Sequence, residues 1–250
     1  MIDLEQKSIL AEAFLDRVAT KDDEITIKSK ARVAEHGEVF TPRNIVRDML
    51  NLEGVNELSY KLDSTFLEPS CGNGNFLIQI LVRKLMVVNV DNIDIDVAKA
   101  LCSIYGVDIQ QDNVEESRDR MLNAVKQFYS ENDKELSKEM LDAFTYILYR
   151  NIILGNTLDK TQTGEAVKPR DTIKKKFVDS RVKSGESVPM EIAEWYISED
   201  GMVTRKDILM DKIQGDKDND DSEYDAHYDD VHLTELYKQK DIKNEGVFGA

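Results

Sequence analysis

The stretch 65-TFLEPSCGNGNFLIQILVRKLMVV-88 passes from a short hydrophobic strand, through a loop of small residues, into a helix apolar on most sides. Gly72 and Gly74, directly after the strand, let the backbone turn tightly and let a ligand approach without meeting a Cβ atom. The helix that begins near Asn75 presents free amides to something anionic. A tight turn alone would use the same glycines. Downstream, the helical run VAKALCS leads into a second strand, IYGVDIQ, that ends on Asp108. Charged and apolar helices over about 113–129 and 134–150 then precede a third strand, NIILGN. Strands that alternate with helices and end on small or acidic residues indicate an α/β fold with a doubly wound, mostly parallel sheet.

Upstream, Ile2, Ile9, Leu10, Phe14, Leu15 and Val18 fall close to helical spacing, so residues 2–18 are predicted as an amphipathic helix. A polar segment follows, then the phrase VFTP and a second apolar-periodic run, Ile45, Val46, Met49 and Leu50. Pro42 stands where a helix starts with Thr41 as its cap. After Leu158 the character changes. Residues 168–183 carry seven Lys or Arg against two Asp, and Asp200-Gly201 between two alternating runs marks a hairpin. Residues 216–230 hold eight acids and one lysine, a composition that predicts a mobile loop in which Tyr224, His227 and Tyr228 are solvated. A short amphipathic helix, VHLTELYKQK, comes next. The expected organisation is an N-terminal helical segment over 1–36, a cofactor-binding domain over 37–210 and an acidic C-terminal extension over 211–250.

The 250 residues are enough for a sizeable core, and a formal net charge of −16 with 33% charged residues makes the surface strongly acidic. No apolar run reaches the roughly 18 residues of a membrane span, and the start MIDLEQKSIL lacks the pattern of a signal peptide, so a cytoplasmic protein with no membrane contact is expected. Cys71 and Cys102 have no metal-ligand spacing and are expected as two reduced thiols.

An acid at the end of the second strand of a doubly wound sheet accepts both hydroxyls of a ribose, so Asp108 together with the glycine loop suggests a ligand containing adenosine. A phosphate-binding loop would need a GK[ST] ending, which is absent. The dinucleotide fingerprint GxGxxG fails because position 77 is Leu. A carboxylate-bearing nucleoside fits better, with Glu68 placed to meet an ammonium group.

Over about residues 37–158, GEVFTP, FLEPSCGNGNFL, YGVDIQ and IILGNTL resemble, in order and character, the amino-group DNA methyltransferases that modify adenine in restriction-modification systems. IAEWYISEDGMVTRKD is similar to the segment after the third strand in some of them. The resemblance implies the S-adenosylmethionine-dependent methyltransferase sheet and S-adenosylmethionine as cofactor. Phe40, Thr41 and Pro42 match the segment along the methionine part of the cofactor. Glu68, Pro69, Gly72 and Gly74 match the loop that wraps it, with Glu68 on its ammonium. Asp108 matches the ribose acid, Ile109 an apolar wall against the adenine, and Asn156 the position that meets the adenine amino group.

One family phrase is missing. Relatives place Asn or Asp before Pro-Pro and an aromatic residue, where polar acceptors hold the target amine and the ring stacks on the flipped base. The prolines here are Pro42, Pro69, Pro169 and Pro189, none adjacent. Duplex DNA would also be repelled by −16 unless basic residues gather, as only 168–183 do. The expectation is therefore an S-adenosylmethionine-binding protein of the adenine-methyltransferase type that meets DNA through a protein partner supplying the catalytic phrase. The competing expectations are a catalytically inactive regulator, subunit or acidic anti-restriction decoy, and methylation of an acceptor other than DNA.

Overall fold

The structure is a computed structural model that describes residues 3–18, 26–179, 181–213 and 226–239. The first helix, α1 (Leu4–Val18), buries Ala11, Phe14 and Leu15. It is followed by α2 (Lys30–His36), α3 (Arg43–Leu50) and α4 (Val55–Ser59). Then come β1 (Phe66–Glu68), α5 (Asn75–Leu85), α6 (Ile93–Cys102), β2 (Ile104–Asp108), α7 (Gln111–Glu131), α8 (Lys138–Asn151) and β3 (Ile152–Asn156). The chain continues through β4 (Thr161–Thr163), α9 (Thr172–Phe177), β5 (Ser187–Pro189), β6 (Glu191–Ile197) and β7 (Met202–Leu209). Two short strands, β8 (Ala226–His227) and β9 (Val231–His232), precede a 3-10 helix over Leu233–Lys238.

β1, β2 and β3 lie side by side and parallel, with Phe66 beside Ile104 and Gly106 beside Ile152. β2 is buried at every position, as a strand between two parallel neighbours must be. Each crossover carries two helices. α5 packs on α7, and α6 on α8. The sheet is mixed, because β4 and β5 extend it antiparallel in the order β1-β2-β3-β4-β5. Only four residues, Thr157 to Lys160, separate β3 from β4. A connection that short can reverse the chain but cannot carry it back for a parallel pairing. Among the described residues, β1 has a neighbour on one side only.

β6 and β7 form the expected hairpin, with Gly201 at φ +83° in its turn. β8 and β9 pair on β7 to make a second sheet. Trp195 of β6 donates to Asn151 Oδ1, while the Asn151 amide donates to the carbonyls of Leu101, Cys102 and Ile104, tying the hairpin to the first sheet. Arg205 and Asp207 of β7 are a buried ion pair, closed by Tyr146 and by the Tyr228 hydroxyl, which donates to Asp207 at 2.9 Å.

The last part of the acidic run therefore differs from expectation. Tyr228 is buried between Arg205 and Asp207 instead of solvated, and Leu233 and Leu236 of the following 3-10 helix join the main core. The pairing with β7 and the burial of these side chains outweigh the local charge. Tyr224 and positions 216–225 lie outside the described residues. At α3, Pro42 itself holds the cap position, with no side-chain bond, and Thr41 stands before the helix.

Candidate functional site

The carboxyl ends of β1 and β2, the loop after each, and the segment Gly37–Thr41 line a cleft of about 160 Å³ that opens to solvent. Glu68, Ser70, Cys71, Gly72 and Asn73 form one side, and Asp108, Ile109 and Gln110 another. Val39, Phe40, Phe76 and Ile109 supply its apolar surface. The position, outside the carboxyl ends of parallel strands, is where open α/β sheets take ligands.

The loop conformation follows from its glycines. Gly72 has φ +52° and Gly74 φ +87°. A Cβ at Gly72 would come within 2.9 Å of the Phe40 ring, and one at Gly74 within 2.8 Å of Ser117 Oγ. The space freed at Gly72 is thus taken by Phe40, which seats the 37–41 segment against the loop. The rest of the cradle comes from α7: Ser117 Oγ donates to the Gly72 carbonyl at 3.0 Å, and Arg120 donates to the Asn73 carbonyl and to Asn75 Oδ1. Asn75 in turn donates to the Thr41 carbonyl at 2.8 Å.

Asp108 is buried at the end of β2. Its Oδ2 accepts from the Gly72 amide at 2.9 Å, and its Oδ1 accepts from the Gln110 amide and from Asn113 Nδ2. Burial pushes its carboxyl above the usual range, while those three donors pull against the shift. Glu68 is raised by burial as well, opposed by the Ser70 amide. Both carboxylates keep acceptor capacity toward the cleft. The Cys71 thiol lines the cleft but is pushed up by burial and by the Asp108 charge, which makes it a poor nucleophile.

Of the residues expected from sequence, Phe40, Thr41, Glu68, Gly72, Asp108 and Ile109 line this one cleft. Pro42, Pro69 and Gly74 shape the segments behind it. Gly74 caps α5, and the Pro69 carbonyl accepts from Thr157, which links the loop to the end of β3. Asn156 is not among the lining residues. Its amide donates to Asp159 and its Oδ1 accepts from the Leu158 amide, so it closes the turn after β3. Sequence reasoning missed Glu38, Arg32, Asp112, Asn113, Ser117 and Arg120. Positions 113, 117 and 120 recur at helical spacing on α7, which was the available signal.

A second cavity, between β3, β4 and the hairpin, is lined by Arg118, Arg150, Arg181 and Arg205 with Glu165, Asp179, Glu191 and Asp207. Each arginine there is bonded to an acid, so it is an ion-paired layer joining the two sheets. Part of the basic stretch 168–183 is engaged as well: Lys174 meets Glu115, Lys176 meets Asp142 at 2.6 Å, and Arg181 meets Asp179 and Glu191. Among the described residues no group of three metal-ligating side chains occurs, and no helix is long and apolar enough to cross a membrane.

An α/β sheet with a glycine loop after its first strand and an acid ending its second is an arrangement shared with nucleotide-binding α/β folds. Residues 24–132 match the family model of N-6 DNA methylases, so the chain is similar to that family across the 37–41 segment, the glycine loop, Asp108 and α7. The resemblance carried by GEVFTP, FLEPSCGNGNFL and YGVDIQ is borne out over that region. No curated protein and no solved structure matches the chain.

Proposed function

We propose that the cleft binds S-adenosylmethionine and that the chain is the cofactor-binding part of an adenine DNA methyltransferase. The observation that carries this is convergence: three phrases far apart in sequence, GEVFTP, EPSCGNGN and YGVDIQ, line a single cleft. The chemistry of the lining fits the cofactor. Asp108 would accept from the ribose, Glu68 would face the ammonium, and Ile109 with Val39 and Phe76 would offer apolar walls to the adenine. Asn73 lines the same cleft, and its Oδ1, buried and without a hydrogen-bond partner among the described residues, adds an acceptor for a ligand rich in donors. When bound, the cofactor supplies an electrophilic methyl group. The protein's own task is to hold it and to keep water from that side.

On this reading the three parallel strands are part of a doubly wound sheet of the S-adenosylmethionine-dependent type, in a cytoplasmic protein of a restriction-modification system. Transfer to DNA is proposed to require a protein partner, because the sequence has no adjacent prolines and Lys174, Lys176 and Arg181 of its main basic stretch are engaged in ion pairs. The open side of β1 is where such a partner could extend the sheet. The same two observations support a second reading, a methyltransferase-like regulator or decoy that binds cofactor without transfer. Calorimetric titration with S-adenosylmethionine tests the shared core of both, and absence of heat at high ligand concentration rejects it. Methyl transfer to unmethylated DNA, with and without partner subunits, separates them.

A further inference from the structure

Glu38 stands out in the cleft because half of its carboxylate is fully used and the other half is not. Its side chain is 8% exposed. Oε2 accepts from Arg32 Nε at 3.0 Å, from Arg32 Nη2 and from Asn113 Nδ2 at 2.9 Å. Oε1 is buried and has no hydrogen-bond partner among the described residues. Arg32 is itself fixed by Asp112, so the carboxylate cannot turn without breaking the Arg32–Asp112–Asn113 set. A buried carboxylate oxygen held without a donor costs free energy that a ligand donor would recover. Asn113 brings this carboxylate next to Asp108, because its one amide nitrogen bonds both Glu38 Oε2 and, at 3.1 Å, Asp108 Oδ1. Two carboxylates thus flank one amide and line the same cleft.

Building on the cleft's assignment to a nucleoside cofactor, we infer that Glu38 and Asp108 together grip a vicinal diol, each accepting one ribose hydroxyl. Glu38 is then a specificity-determining residue that makes the site require an intact ribose. Asp108 Oδ2 has one protein donor, the Gly72 amide, and keeps room for its hydroxyl. The pair rejects a ligand lacking either hydroxyl, because a buried acceptor would be left unpaired.

The variant Glu38→Gln tests this with the scaffold kept. Gln can place its carbonyl oxygen where Oε2 accepts from Arg32 and Asn113, which puts its NH2 where Oε1 stands and replaces an acceptor with a donor. Titration with S-adenosylhomocysteine and with its 2′-deoxy and 3′-deoxy forms should find the parent bound about tenfold or more weaker by the variant. For one of the two deoxy forms, the variant should bind as well as wild type. Equal binding of the parent by both proteins, or an equal loss for all three ligands, overturns the role of Glu38 while leaving the cleft assignment standing. If wild type binds none of the three, the cleft assignment falls and this inference falls with it.

Discussion

On the proposed reading Asp108 is a main source of cofactor affinity, because it is buried and fixed by three donors before a ligand arrives. Replacing it with Ala should weaken S-adenosylmethionine by about 1–3 kcal/mol, roughly 5- to 150-fold in Kd, as read by calorimetry. Its pH dependence has a defined sign. Asp108 and Glu68 are both raised by burial in the folded protein. A carboxyl raised in the fold contributes stability at pH below its unfolded value and loses that contribution as pH rises through its folded value. Ligand hydroxyls and an ammonium donate to the ionised forms, so binding works in the opposite direction. Cofactor affinity should fall as the pH is lowered far enough to protonate these acids, by up to about tenfold per pH unit for each carboxyl that protonates, as read by calorimetry over a pH series. Affinity that stays constant down to the pH of acid unfolding would remove both acids from the site.

At the scale of the element, α5 explains how the glycine loop is held and why part of that was illegible in the sequence. The strand-loop-helix pattern and Gly72, Gly74 and Asp108 could be read from residue order alone. Arg83 and Lys84 could not, since two adjacent cations on a helix suggest a solvated face. Both are buried. Arg83 donates to the Leu50 carbonyl and to Asn51, fastening α3 and α4, while Lys84 donates to the carbonyls of Lys61, Leu62 and Ser64 just before β1. Burial pulls the Lys84 ammonium down to about 7, and three backbone carbonyls use all three of its protons. The variant Lys84→Met strips those carbonyls of their donor and should cost about 2–3 kcal/mol in urea unfolding. β4 was illegible for another reason: three polar residues carry no periodic signal, and only the four-residue turn before them forces the chain to reverse. Arg120 is also long-range. Arg120→Ala should weaken cofactor binding severalfold by loosening Asn73 and Asn75, with little change in the unfolding midpoint, because its carbonyl contact lies on the loop and not in the core.

At the scale of the molecule, the proposal that the chain needs a partner rests on its charge and on a sequence without adjacent prolines. Methyl transfer to an exocyclic amine requires polar acceptors against the nitrogen and an aromatic ring under the flipped base, so that the lone pair lines up with the sulfonium methyl. In the described structure, the chain leaves β3 through a turn closed by Asn156 and reverses into β4, and the sequence has no Pro-Pro phrase to set that geometry. Duplex DNA meets a net charge of −16, with Lys174, Lys176 and Arg181 of the basic stretch already paired to acids. The isolated chain should therefore transfer no tritium from labelled S-adenosylmethionine to unmethylated duplex DNA above background. Transfer should appear when a second chain brings the acceptor phrase and a DNA-binding surface. Robust single-chain methylation of adenine, abolished by Gly72→Trp and so not due to a contaminant, would mean that side chains of this chain outside the cleft replace the missing phrase.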